Sequence, residues 1–265
     1  MPDIQLATVL LGAVGFNEGN VNDTYRGQVL TSDGATRLSI IKDLDITQLC
    51  NELLAYTLAR EVKLPVPDCY IGLVRPGDLS LRHSPVLSDG SRLVFVSADV
   101  KVPNLTFRLQ TANLPERLSL INQVMNWDDL GRLYAYDAWI ANTDRHPGNI
   151  LFGNKNECWM IDHGHSFTGP SWKPEHLNPD ASYRHRLSEW LTSLLSVDQK
   201  KERAAEARKF GATIGACDIA AASSKSRIVE LLPKEYLDAL KDFLESRAAM
   251  VPQHSSRALG VPVMV

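Results

Sequence analysis

The feature that most restricts the fold is a run of oxygen-bearing side chains set around a β-hairpin in residues 136–167, YDAWIANTDRHPGNILFGNKNECWMIDHGHSF. An apolar-faced helix ends near Asn142, and the loop after it carries Asp144 and Asn149. Ile150, Leu151 and Phe152 then read as a short strand, Gly153-Asn154 as a turn, and residues 158–161 as a second strand that delivers Asp162. A hairpin returns its second strand to the end where the first began, so Asp144, Asn149 and Asp162 are expected together. Turn-forming preference accounts for each of them singly, but poorly for three such positions separated by apolar strands. One carboxylate to orient and deprotonate a hydroxyl, with oxygen ligands to hold Mg²⁺ against the phosphates of ATP, is the set that phosphoryl transfer needs.

The N-terminal part supplies a matching set of groups. Residues 6–14 read as a strand, residues 15–20 as a loop bearing Gly15 and Gly19, and residues 21–30 as a returning strand. A turn at Ser32-Asp33-Gly34 leads to a third strand, 38–42. A Gly-bearing hairpin is what would lie over ATP phosphates, although the spacing of Gly15 and Gly19, taken alone, is not G-x-G-x-x-G and fits a plain hairpin turn better. Lys42 ends the third strand, where an apolar strand places an ammonium inside a cleft, facing phosphates. Glu52 follows on a helix over 47–62, placed to pair with Lys42 and hold it on the nucleotide. Strands at 69–74 and 93–97 complete the sheet, and the chain is expected to cross between lobes near Ser97 and Asp99, where backbone groups would contact adenine.

The remainder reads as mainly helical. Asp137, on the apolar face of a helix starting at Asp128, either braces the loop from below or lies on the helix flank. His146 reads as a loop brace, since a carboxylate already serves as base. Residues 168–182, with three prolines, Trp172 and His176, are where a substrate or activation loop would run, and residues 254–265 read as a loose tail.

The string Asn142-Thr-Asp144-Arg-His146-x-x-Asn149, followed by Ile161-Asp162-His-Gly164, resembles the catalytic segment of HipA-like kinases and of phosphatidylinositol 3/4-kinases. The helix that ends in Lys63-Leu64-Pro65 before a strand is similar to the HipA-like pattern. The resemblance implies an α+β, two-lobed protein-kinase-like fold: a β-rich N-lobe with one helix over 1–98 and a mainly helical C-lobe over 99–265. It implies Asp144 as catalytic base, Asn149 and Asp162 as metal ligands, ATP and Mg²⁺ as cofactors, and a protein Ser/Thr hydroxyl as acceptor. It also implies an antitoxin-like partner. A phosphatidylinositol or small-molecule kinase and a nucleotide-binding module without catalysis are the alternatives. His163 stands where eukaryotic protein kinases carry Phe, so a Phe-in/Phe-out switch is not expected.

Composition narrows the rest. The 265 residues suffice for two lobes sharing a cleft, and 44% apolar with 22% charged residues is ordinary globular usage. A net charge of -3 argues against direct nucleic-acid binding or attraction to anionic membranes. No apolar run reaches the roughly 20 residues of a membrane span, so no membrane insertion is expected. Cys50, Cys69, Cys158 and Cys217 are scattered, as expected of reduced thiols in the cytoplasm.

Overall fold

In the computed structural model, which describes residues 3–15, 23–154 and 156–263, the chain forms two lobes. The first is built from β1 (Leu6–Val9), β2 (Val14–Gly15), β3 (Thr24–Thr31), β4 (Thr36–Lys42), β5 (Cys69–Val74) and β6 (Arg92–Ala98), with one helix, α1 (Ile46–Glu61). The sheet runs β1-β5-β6-β4-β3-β2, and β1 also pairs with β3. Ala7 is opposite Gly72 in the parallel β1–β5 ladder and opposite Thr31 in the antiparallel β1–β3 ladder. Five strands therefore close on themselves with β2 outside, which leaves little unpaired edge for another chain to join. The expected single strand at 6–14 is divided instead, because the chain turns at Gly12 with φ 92° before β2 begins.

Alternation along these strands fills the barrel with Ala7, Val9, Val29, Ile41, Tyr70, Val74, Val94 and Val96. Gly72 is required by that packing: a Cβ there would lie 2.5 Å from Val96 Cγ2 and 2.7 Å from Val94 Cγ2. Asp43, directly after β4, is fully buried and accepts from the backbone N–H groups of Arg82, His83 and Ser84. A single carboxylate thereby fastens the irregular stretch between β5 and β6.

Helix α1 is the joint between lobes. Asp45 caps it by accepting from Gln48 N–H at 2.9 Å, and its residues 48–59 are buried on every face. Its apolar side chains share one continuous core with the second lobe, including Leu133, Tyr136, Trp139, Phe167 and Phe243. Its C-terminal carbonyls are satisfied from that lobe too, since Arg132 Nη2 donates to Val62 O at 2.8 Å and Lys63 O at 3.0 Å.

The second lobe comprises α2 (Leu105–Thr111), α3 (Leu114–Met125), α4 (Leu130–Trp139), the β7–β8 hairpin (Ile150–Asn154, Glu157–Met160), α5 (Arg186–Leu191), α6 (Val197–Gly215), α7 (Ile219–Lys225), α8 (Lys234–Ala248) and α9 (Val251–Leu259). Asn104 and Asn113 cap α2 and α3 through side-chain bonds to Phe107 N–H and Glu116 N–H. The first half of the expected loose tail, residues 254–259, belongs instead to α9, which buries Val251 and Leu259 and ends at Gly260 with φ 67°. Among the described residues no helix is long and apolar enough to cross a membrane.

Gly72→Ala is expected to destabilise the protein by about 1–3 kcal/mol, because the branched Val94 and Val96 side chains have little freedom to yield. Urea unfolding measures this, and an unchanged midpoint would refute the packing argument.

Candidate active site

The site lies where the open end of the barrel meets the loop after α4. Asp137, in the last turns of α4, and Arg145, in the loop, form a wholly buried pair with Arg145 Nε 3.0 Å from Asp137 Oδ2. Arg145 Nη1 also donates to Asn149 O at 3.1 Å and Ile161 O at 2.5 Å. Those carbonyls flank the hairpin, whose register pairs Ile150 with Met160, and Ile161 N–H donates to Asn149 O at 3.1 Å. One guanidinium thus fixes the backbone at Asn149 and immediately before Asp162. Asp137 braces the loop rather than lying on the helix flank.

The loop is tightened further by its own side chains. Asn142 Oδ1 accepts from Asp144 N–H at 3.0 Å, Asn149 Nδ2 donates to Asp144 O at 2.9 Å, and His146 Nδ1 accepts from Gly148 N–H at 3.0 Å. Asp162 has φ 60°, a left-handed conformation uncommon outside glycine. Phe167 and Thr168 are also left-handed, and their N–H groups donate to Ile140 O and Ala141 O. Strained backbone held this firmly is characteristic of functional sites.

From the barrel side, Lys42 Nζ donates to Glu52 Oε1 at 2.7 Å and to Asp162 Oδ1 at 2.9 Å. Glu52 Oε2 accepts from His163 N–H at 2.9 Å. Burial pulls the Lys42 ammonium toward neutrality, but Asp162 and Glu52 outweigh it and hold its pKa above the ordinary lysine value. Burial likewise opposes the charge on Glu52, yet Lys42 and His163 keep that carboxyl far below its usual range. The sheet and α1 are therefore joined to the hairpin by an ion triad, whose outer member, Asp162, remains substantially exposed.

Lys42, Glu52 and Asp162 thus meet directly, and Asn149 and Asp144 lie in the loop beside them. Gly15 ends β2 opposite Tyr25, one ladder step from Ile41 and so near the end of β4; Gly19 lies outside the described residues. Ser97 is inside β6, opposite Ile40 on one side and Cys69 on the other. The neighbouring Ala98 and Asp99 N–H groups already donate to Asp68 O and Leu38 O, so this stretch belongs to the sheet more than to a connecting strand.

Two participants were not apparent in the sequence. Arg186, which opens α5, forms an ion pair with Asp144 Oδ1, leaving Oδ2 with His146 Nε2 3.9 Å away. Asn51, buried in α1 beside Glu52, donates through Nδ2 to Gly164 O, Ser166 O and Gly169 O, and accepts from Trp172 Nε1. A polar residue inside a helix apolar on nearly every face was the available signal for Asn51. An exposed-looking arginine 42 residues from its partner gave none for Arg186.

A cation could be held by two oxygens here. Asp162 Oδ2 and Asn149 Oδ1 take part in none of the bonds described, and both are the hard oxygen donors Mg²⁺ favours. Among the described residues no cluster of three His, Cys, Asp or Glu side chains is placed to hold a metal.

The closed barrel with its single helix, the helical second lobe and the Lys-Glu-Asp triad between them define a protein-kinase-like fold. Residues 31–216 match the HipA-like kinase family, and the chain belongs to that family. The fold is similar to the crystal structure of a Helicobacter pylori proinflammatory kinase, CtkA, at 12% identity and a TM-score of 0.50, covering 89% of this chain and 94% of that one. At that identity the likeness is one of fold alone. No curated protein sequence matches the chain.

Replacing Arg145 with Leu strands the Asp137 carboxylate in the core and is expected to cost about 3–5 kcal/mol in urea unfolding, with partial recovery in Asp137→Leu/Arg145→Leu. Equal stability of the single variant and wild type would contradict the assignment. Burial lowers the pKa of His163 and His185 below 6.5, with Arg145 adding to the effect on both while Asp137 partly offsets it at His185. The unfolded chain therefore binds protons that the folded chain refuses, so stability is full above pH 6.5 and falls as pH decreases below it. Urea titrations at about pH 7.5 and 5.5 should show the loss, reduced in His185→Asn; greater stability at the lower pH would reverse the sign and defeat it.

Proposed function

We propose that the protein is an ATP-dependent kinase that transfers the γ-phosphoryl group to a Ser or Thr hydroxyl of a protein. The observation that carries this reading is the triad: an ammonium held at 2.7 Å and 2.9 Å between a carboxylate of α1 and the carboxylate that ends the hairpin. Family membership supports phosphoryl transfer as the chemistry. The class of acceptor rests on the likeness of the loop to HipA-like catalytic segments.

In this reading Lys42, fixed by Glu52, presents a permanent positive charge to the α- and β-phosphates. Asp162 and Asn149 direct oxygens toward Mg²⁺, which when bound would neutralise charge on the transferring group. Asp144 receives the acceptor hydroxyl on Oδ2 and aligns it, and takes its proton as transfer completes. Arg186 holds the other oxygen of that carboxylate and so fixes its plane. Positioning and electrostatics carry such a reaction, so groups near the reacting atoms matter far more than remote ones.

The test is transfer of labelled phosphate from ATP, with Mg²⁺, into a protein extract, with lipid vesicles and sugars as parallel acceptors. Asp162→Ala and Asp144→Asn are each expected to lower turnover by about 10³-fold, with circular dichroism spectra matching wild type to show that both remain folded. Transfer undiminished in both variants, or label entering lipid or sugar but no protein, would overturn the proposal.

A further inference from the structure

A cavity of about 200 Å³ lies outside the cleft, beneath the loop that carries Asp144, between the end of residues 168–182 and helices α8 and α9. Its wall includes Ser182, Arg184, His185, Arg247, His254 and Arg257. The charge on this wall is unbalanced. Arg184 is paired with Glu189 through two bonds of 2.6 Å and 2.7 Å, and Asp137, which also reaches the cavity, is neutralised by Arg145.

Arg247 and Arg257 have no such balance. Arg247 is buried, and its Nε donates to Ala138 O and its Nη1 to Pro179 O and Ala181 O at 2.6–2.9 Å, with its guanidinium stacked on Tyr183 and Phe243. It forms no ion pair with a carboxylate; Asp180 acts on it only through space. Arg257 is exposed at the rim and its side chain forms no ion pair with a carboxylate among the described residues. A buried guanidinium without a counter-ion is costly, and two unneutralised arginines around one hollow create a local attraction for anions.

Histidine donors and acceptors extend the pattern. His254 Nε2 is 3.3 Å from Arg247 Nη1 and 3.2 Å from Pro179 O, so that nitrogen is engaged. Its Nδ1 is buried with no hydrogen-bond partner, whereas His185 Nε2, also without a hydrogen bond, faces Asp137 Oδ2 at 3.8 Å. Buried polar atoms in a folded protein are nearly always bonded, so the unbonded Nδ1 of His254, next to Arg247, leaves bonding capacity unused beside the two arginines. Ser182 adds an exposed hydroxyl on the same wall.

We propose that this cavity is a binding site for a phosphate group. A tetrahedral dianion offers several acceptor oxygens at once, which suits convergent guanidinium donors better than a single carboxylate would. The group arrives either free, as phosphate or a small phosphomonoester, or attached to Ser182 in the wall. In both cases it bridges α8 and α9 to the end of residues 168–182, whose carbonyls Arg247 already holds. The site goes beyond the kinase reading and does not depend on it, because its occupancy is measured without ATP.

The experiment uses the full chain in two arms. In the first, inorganic phosphate is titrated at constant ionic strength, with chloride as the balancing anion, and followed by thermal midpoint and by the histidine ring resonances. In the second, phosphoserine is incorporated at 182 during translation and the midpoint compared with that of the unmodified chain. Saturable phosphate binding, weakened about tenfold or more by Arg257→Met, identifies a free ligand. A higher midpoint with phosphoserine at 182, lost when Arg257→Met is added, identifies the attached one. Arg257 is exposed, so its replacement leaves the fold intact, and matching circular dichroism verifies this. Absence of both effects, or effects indifferent to Arg257→Met, overturns the proposal.

Discussion

The arrangement of the second lobe depends on one buried contact, the pairing of Arg145 with Asp137. Removing two charges from water is expensive, and a pair of apolar residues of equal volume would often be at least as stable. What the pair provides is direction. Asp137 is anchored in α4, and Arg145 spends its remaining donors on the carbonyls of Asn149 and Ile161, so the helix, loop and hairpin are locked in one register. A hydrophobic replacement would fill the space but could not choose which two backbone positions come together.

The second constraint comes from α1, which contributes apolar packing to the core and polar groups to the site. Glu52 and Asn51 are adjacent, yet they serve different partners. Glu52 gathers Lys42 and His163 N–H, while Asn51 gathers three carbonyls from the stretch after Asp162 together with the Trp172 indole. The segment that follows the hairpin is therefore folded onto α1 by hydrogen bonds to a single amide. This is why a proline-bearing stretch with little regular secondary structure still buries Phe167 and Trp172. Burial and the neighbouring Arg145 disfavour the charged form of His163 in the same enclosure, where the ring lies edge-on to Tyr136 at 6.2 Å.

Local pattern made the hairpin, the loop and the Lys42–Glu52 relation legible, because each depends on apolar periodicity and on residues near in sequence. The strand at 69–74 and the helix close to 47–62 follow from the same rules and coincide with β5 and, within a residue, α1. Closure of the barrel was not legible: the parallel β1–β5 ladder joins residues over sixty positions apart, and no local signal specifies a partner at that distance. α9 was missed because Pro252, His254, Ser255 and Ser256 look like tail residues, although burial against α4 and α6 makes them helical. The apposition of Arg186 and Asp144 was hidden for a related reason, since charged side chains carry no information about which opposite charge they will meet.

The packing of α1 also governs how the two halves of the molecule can separate. In chain order the helix follows the barrel strand β4, but its core is shared with the helical lobe, and Ile4 N–H and Glu61 are tied to that lobe through Lys225 O and Lys225 Nζ. Opening the gap at Lys42 cannot therefore swing the barrel and α1 away as one rigid flap. The helix instead shares one core with Ile71 and Phe95 of the barrel and with Tyr136 and Trp139 of the helical lobe, a greasy bearing between the two across which the Lys42 ammonium is the latch.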